Sequence, residues 1–363
     1  MKRLLIVLIT AALLLAGCAT KAPDASPELS VAVITNPPLI TSGSGIDSSN
    51  SKNTDIVNPN RTYSYEMMFA DSKALKAAHP GLIETDVIGK SVEGRDILLI
   101  KLGRGDNKIA FAGAHHAREY ITSTYLMETI DEYARSYESG EAYGGFDIKA
   151  LLDEATIYIV PMVNPDGVNL VQNGIESVKD PEKVKSMRMM QHGYSEWKAN
   201  INGVDLNRQY PCHWEEKASN TDVPSSEMYK GEAPATEPEV KAMMKLCEEN
   251  DFLLAASFHS KGEVIYWADS GTEDEIPAAQ QIAQTLSDVT GYALNPVSED
   301  PAVYGAGFEN WFRQEFKRPA FCIELTPAGN GAAPHNDEEF QTLIWDKAKY
   351  LCADLVHQAL ETD

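Results

Sequence analysis

The sequence is poor in the residues that would point to several common classes of function. Among 363 residues, Lys and Arg together number 31 against 54 Asp and Glu, a formal net charge of −23. Binding along a phosphate backbone draws on clustered Lys and Arg, so nucleic acid is not an expected partner. Cysteine is scarce, with five in the chain. No apolar run reaches the roughly 18 to 20 residues that span a bilayer. No unit repeats at a fixed period, and no heptads mark a coiled coil. Hydrophobic residues still make up 43%, ordinary globular usage, which excludes wholesale disorder. What remains is one large domain or two ordinary ones, either with a substantial core.

The N-terminus carries an address. Lys2 and Arg3 precede the apolar run Leu4 to Gly17, broken only by Thr10. As a helix it would extend about 21 Å, short of the roughly 30 Å hydrocarbon core, so it reads as a signal peptide. The run closes on Leu15-Ala16-Gly17-Cys18, which resembles the bacterial lipoprotein signal. That resemblance implies removal of residues 1–17 and lipidation of Cys18, a membrane-tethered body in the cell envelope outside the cytoplasm. Plain cleavage near Ala16 or Ala19 is the alternative. Residues 18–60, rich in Ser, Pro, Asn, Thr and Gly, read as a flexible stalk. Residues 61–363 read as one domain.

Within that domain strand-like and helix-like segments alternate. Asp96–Leu102 and Ile109–Ala114 are strand candidates around the turn Gly103 to Asn107, which has the composition of a hairpin. Thr156–Val163, Phe252–Phe258, Gly262–Ala268 (as the neighbour of the preceding strand) and Ala320–Leu325 are further strands. Ser123–Ser136, Pro238–Asn250, Ile276–Thr290 and a long closing helix Asp337–Glu361 are helices. The alternation predicts an α/β fold with a mixed, mostly parallel central sheet and helices on both faces. Sites in such sheets lie beyond the carboxyl ends of strands.

Residues suited to a metal fall at those ends. His116 and Glu119, three apart, project from one face of a helical turn, and imidazole and carboxylate are both good zinc donors. Alone, His-x-x-Glu is common in ordinary helices. His259 closes the apolar strand Phe252–Phe258, and Glu324 sits in the apolar run Phe321–Leu325, where a carboxylate is either paired in the core or part of a site. His115 has the wrong offset from Glu119 and reads as packing. Cys212, Cys247, Cys322 and Cys352 could pair in an exported protein, with three possible connectivities; at most one disulfide is expected.

The chain resembles the zinc metallocarboxypeptidase family over nearly all of residues 60–363. Six segments match in family order: His116-Ala117-Arg118-Glu119, Asn164-Pro165-Asp166-Gly167, Gly203 to Arg208, Ala235 to Glu239, His259 and Glu324. The resemblance implies a carboxypeptidase-like domain and one Zn2+ per chain, held by His116, Glu119 and His259, that lowers the pKa of a bound water. It implies Glu324 as general base, Arg118 beside the metal loop, and Asn207 and Arg208 as the grip on a substrate carboxylate. Tyr304 matches a tyrosine that covers the substrate, and Glu309 falls near the position that sets side-chain preference. Lys198 stands where the family places an oxyanion arginine; Lys lacks the bidentate fork, and Arg188 is the fallback.

The segments 197–210 and 307–319 resemble most the bacterial branch that trims peptidoglycan stem peptides at the γ-D-glutamyl bond to a diamino acid such as meso-diaminopimelate. A monomer acting on peptide or stem-peptide substrates is expected. The competing readings are a general carboxypeptidase releasing basic or neutral C-terminal residues, a non-hydrolytic peptide-binding lipoprotein, and a zinc deacylase of N-acyl amino acids.

Overall fold

Eight strands form one mixed sheet in the computed structural model, which describes residues 55–329 and 331–362. Residues 1–17, Cys18 and the stalk as far as residue 54 lie outside the described part. The strands are β1 (Ile83–Lys90), β2 (Asp96–Gly103), β3 (Asn107–Gly113), β4 (Ala155–Val160), β5 (Phe252–His259), β6 (Val264–Tyr266), β7 (Ala293–Leu294) and β8 (Ala320–Glu324). Their spatial order is β1-β2-β4-β3-β5-β8-β6-β7. The central four, β4, β3, β5 and β8, run parallel. β1 and β2 on one side and β6 on the other pair antiparallel with their inner neighbours.

Alternate residues of a strand point to opposite faces, and both faces here are covered. Leu98, Ile100, Leu102, Ile109 and Phe111 join one core; Ile97, Leu99, Ala110 and Ala112 join the other. The helices Ile121–Ser139, Pro277–Thr290 and Leu351–Glu361 cover the first face, and Pro238–Glu248 and Phe308–Phe316 the second. Two covered faces explain why all eight residues of β5 are buried and why its sequence is apolar nearly throughout. The single α/β domain expected from the sequence is the one observed.

Four details differ from expectation. β2 and β3 form no hairpin, because β4 lies between them. The glycines of that turn serve a close approach of backbones. A Cβ on Gly105 would sit 1.8 Å from the Glu154 carbonyl carbon, and one on Gly103, at φ +125°, 2.2 Å from the Ala155 oxygen. Likewise β6 is separated from β5 by β8. The closing helix is divided into a 3-10 turn Asp337–Glu339, a π turn Gln341–Trp345, a short segment Asp346–Ala348 and the helix Leu351–Glu361; at the last break the Tyr350 ring packs edge-on against Tyr143, 5.1 Å between centroids. Finally, Ile56 and Val57, assigned to the stalk from the sequence, belong to the domain. Their N–H groups donate to Asp131 Oδ2 at 2.7 and 2.8 Å.

The parallel strands place four chain segments at one edge of the sheet: the loop after β3, the end of β4, and the last residues of β5 and β8. We predict that Gly105→Ala destabilises the fold by about 3 kcal/mol, since backbone must move to admit the methyl group. Gly140→Ala, at φ +69° with nothing within 4 Å of the new Cβ, should cost only about 1 kcal/mol. Urea denaturation of the two variants checks the difference.

Candidate metal centre and active site

β3 ends at Gly113, and the chain turns through Ala114 at φ +48°, with the Ala114 N–H donating to Thr122 Oγ1 at 2.8 Å. This left-handed step costs an alanine about 1 kcal/mol or more and turns the next two histidines off the strand axis. His115 is fully buried and pairs its Nε2 with the Tyr210 hydroxyl at 3.0 Å; burial pushes its pKa down to about 3, so it is a neutral packing residue. His116 precedes the 3-10 turn Ala117–Glu119, which brings Glu119 Oε1 to 3.0 Å from His116 Nδ1. His259, at the end of β5, places its Nδ1 3.0 Å from Glu119 Oε2 and 3.1 Å from His116 Nδ1.

These three buried side chains fit a cation. His116 Nε2 lies 3.1 Å from Asp205 Oδ1, and an ionised carboxylate only accepts, so the ring proton belongs on Nε2. The Nδ1 lone pair then faces the carboxylate of Glu119 and the Nδ1 of His259. Acceptors held this close need a shared positive centre, and two imidazoles with one carboxylate are a zinc donor set. Without metal, a proton takes that place. Burial alone would lower the pKa of His259, but the hydrogen bond and charge of Glu119, with Glu324 and Glu309, push it up to about 9. Glu119, despite its own burial, is held well below the usual carboxylate range by His116 and His259.

Glu324 ends β8 directly beside His259 in the strand register. Its Oε2 is buried with no hydrogen-bond partner, and burial followed by the charge of Glu119 raises its pKa to about 8. A carboxylate so placed can exchange a proton near neutral pH. It opens on a cleft of about 270 Å³ lined also by Arg118, Glu119, Lys198, Ser260 and Lys261, with residues 331–333 closing one side. Arg118 Nη1 bonds Glu227 Oε2 and the Glu196 carbonyl, both at 2.9 Å. Lys198 lines the same cleft. Arg188 does not; it lines a different hollow of about 660 Å³ with residues 219–222 and 229–232, which none of the metal or acid–base residues borders.

The expected substrate residues gather around the segment 205–208. Arg208 Nε lies 3.2 Å from Asp205 Oδ2, and its Nη1 donates to the Ala218 carbonyl at 2.9 Å. Asn207 accepts the Phe308 N–H at 2.8 Å and approaches Glu309 Oε1 at 3.5 Å. Glu309 is only 3% exposed; its Oε1 accepts from Ser257 Oγ at 3.1 Å. Tyr304 packs edge-on against His213, 5.5 Å between centroids, and is not among the residues lining the cleft around Glu324. Cys212, Cys247, Cys322 and Cys352 are all free thiols.

The zinc carboxypeptidase family model matches residues 68–343, a span that contains all three donor residues and Glu324. The chain belongs to the zinc carboxypeptidase family. Its enzyme class is accordingly zinc metallopeptidase. It is similar to gamma-D-glutamyl-L-diamino acid endopeptidase 1 of Lysinibacillus sphaericus, 38% identical over 304 residues that cover 83% of this chain and 74% of that protein. It is also similar to the uncharacterized protein YqgT of Bacillus subtilis (strain 168), 37% identical across 70% of this chain and 66% of the other. Among solved structures, bovine thrombin-activatable fibrinolysis inhibitor in complex with tick carboxypeptidase inhibitor superposes with a TM-score of 0.64 at 19% identity, covering 84% of this chain and 99% of that one. At that identity the likeness speaks to the carboxypeptidase fold alone.

Asp205 is a residue of this carboxypeptidase site that had no role assigned from sequence. Asp205 sits inside the matched segment Gly203 to Arg208, and its carboxylate faces His116, Lys198 and Arg208 together. Its place two residues before Asn207 was the available signal. Outer partners of this kind orient a ligand and support its affinity for metal. We predict that Asp205→Asn weakens zinc binding about 10- to 100-fold, measured by competition with a chromogenic chelator. A second outcome follows from His259. Zinc must displace its proton, so between pH 6 and 8 affinity should rise about tenfold per pH unit and level off near pH 9. The same competition, corrected for protonation of the chelator, checks the slope.

Proposed function

We propose that the protein hydrolyses peptidoglycan stem peptides at the bond between a γ-linked D-glutamyl residue and a diamino acid. The observation that carries this reading is Glu309, a buried carboxylate that has neutral donors in Ser257, its own backbone N–H and the Cys322 thiol but no ion-pair partner among the described residues, set beside Asn207 in the substrate segment. Burial would push its pKa up, but His259 first, with its own backbone N–H, His115 and Arg313, holds it below the usual range. A buried, ionised acceptor is costly until a cation arrives, and the side-chain ammonium of a diamino acid is such a cation. The L. sphaericus relative, named for a γ-D-glutamyl–L-diamino acid bond, supports the same substrate class.

Zinc bound by His116, Glu119 and His259 would supply a Lewis acid that makes water nucleophilic near neutral pH. Glu324 takes a proton from the attacking water and delivers it to the leaving amine. Lys198, in the cleft with Glu324, offsets negative charge developing on the carbonyl oxygen. Asn207 and Arg208 hold the free carboxylate of the departing residue. Lipidation at Cys18 and a stalk would set the domain, acting as a monomer, against the wall it trims.

Glu309 would equally receive the side chain of a C-terminal Lys or Arg, which makes a carboxypeptidase acting on ordinary peptides the second reading. Mass spectrometry of products from the zinc-loaded protein separates them. The expected result is cleavage of a γ-D-Glu-diaminopimelate stem peptide and little release of residues from peptides ending in Lys, Leu or Phe. Release from the ordinary set alone would establish the second reading. In the same assay Glu324→Gln should keep its zinc and lose at least about a hundredfold in turnover.

A further inference from the structure

Each charged group lining the cleft has a partner of opposite charge or a metal-ligand role, apart from the base Glu324 and one lysine. Arg118 is paired with Glu227 at 2.9 Å and Lys198 with Asp205 at 3.4 Å, and Glu119 belongs to the metal set. Lys261 follows His259 by two residues and lines the same cavity. Its Nζ donates to the Gly331 carbonyl at 3.0 Å and the Ala333 carbonyl at 2.6 Å. Among the described residues no carboxylate comes within ion-pair distance of it. An ammonium has three N–H donors, so one remains, carrying an uncompensated charge at the cavity wall.

The cavity also identifies which part of a substrate lies there. Asn207, Arg208 and Glu309, which serve the departing residue, do not border it; Arg118 and Lys261 do. It therefore receives the acyl side of the scissile bond. An α-linked residue presents no negative charge from its main chain on that side. A γ-linked glutamyl residue does, because its α-carboxylate is left free. We propose that Lys261 binds this free α-carboxylate, making it a residue that selects γ-glutamyl over α-linked substrates. The assignment rests on the stem-peptide reading above and adds to it the group that is recognised. The Gly331 and Ala333 carbonyls hold the ammonium in place beforehand, which lowers the entropy lost on binding.

The test uses the zinc-loaded protein and two substrates that differ in one group: L-Ala-γ-D-Glu-meso-diaminopimelate, and the same tripeptide with the glutamyl α-carboxylate converted to the carboxamide. The wild-type protein is expected to prefer the free acid by about tenfold or more in kcat/KM, the worth of a hydrogen bond to a charged group. Lys261→Met should bring the ratio of the two to within about threefold of unity, chiefly through KM on the free acid, and Lys261→Arg should restore part of the preference. If Lys261 merely tethers residues 331–333, its loss slows both substrates alike and leaves the ratio at the wild-type value. That result overturns the assignment, as does a wild-type protein indifferent to amidation. Failure to cut either tripeptide, with peptides ending in Lys still cleaved, would instead remove the γ-glutamyl reading itself and this assignment with it.

Discussion

Asp205 is 1% exposed, and its two oxygens face His116 Nε2 at 3.1 Å, Arg208 Nε at 3.2 Å, Lys198 Nζ at 3.4 Å and the Met228 N–H at 3.4 Å. Burial by itself would raise its pKa; Lys198 and His116, with Arg208, hold it well below the usual range instead. One ionised carboxylate thus sets the tautomer of His116 and holds both Lys198 and Arg208 in place. Those three groups come from different stretches of chain, and without an anion between them Lys198 and Arg208 would repel each other. A buried charge whose partners are removed is strongly destabilising, whereas a fully partnered one fixes geometry. The spacing of the site therefore follows from satisfying Asp205.

Little regular secondary structure supports this arrangement between residues 186 and 237, so side chains do the holding. Asn200 and Asn202 both donate to Glu237 Oε2, at 2.7 and 2.8 Å. The Gln209 amide donates to the Ala233 carbonyl at 2.9 Å and accepts the Thr236 N–H at 2.8 Å. Asn164 caps the helix Pro165–Asn173 through the Gly167 N–H and donates to the Ala199 carbonyl at 3.0 Å, while the Ala117 N–H donates to the Lys198 carbonyl at 3.0 Å. The ligand loop and the lysine segment are stapled to each other before any substrate binds. Groups positioned in advance need no reorganisation as charge develops, which is where electrostatic catalysis gains most.

His259 and Glu324 stood out in the sequence as candidates because they fall at strand ends, while the set His116, Glu119 and His259 came from the family resemblance. An apolar run that stops at a His or Glu marks both the strand and the edge at which its last side chain emerges, and β5 and β8 share that edge because they are parallel. Asp205 was not legible in the same way. It is one of 54 acids, and its meeting with His116 spans 89 residues. The absent hairpin has a different cause. Gly103 and Gly105 have the composition of a tight turn, yet their lack of a Cβ is used against the backbone of Glu154 and Ala155, a contact that depends on where β4 inserts. Local composition reports that a glycine is needed without reporting which neighbour needs it.

The chain is strongly acidic, yet four cations converge on its site: Arg118, Lys198, Arg208 and Lys261. What each can do depends on what already faces it. Lys198 and Arg208 share Asp205, and Arg118 faces Glu227, so their positions are secure while part of their field is spent on a carboxylate. Lys261 faces only carbonyl dipoles, which orient an ammonium without neutralising it. The low dielectric of a narrow cleft strengthens both effects. An incoming anion consequently meets the strongest unbalanced attraction at Lys261, while the cations held by carboxylates supply direction and hydrogen bonds. On a strongly acidic chain, this uneven neutralisation leaves Lys261 as the cation of the cleft least offset by a carboxylate.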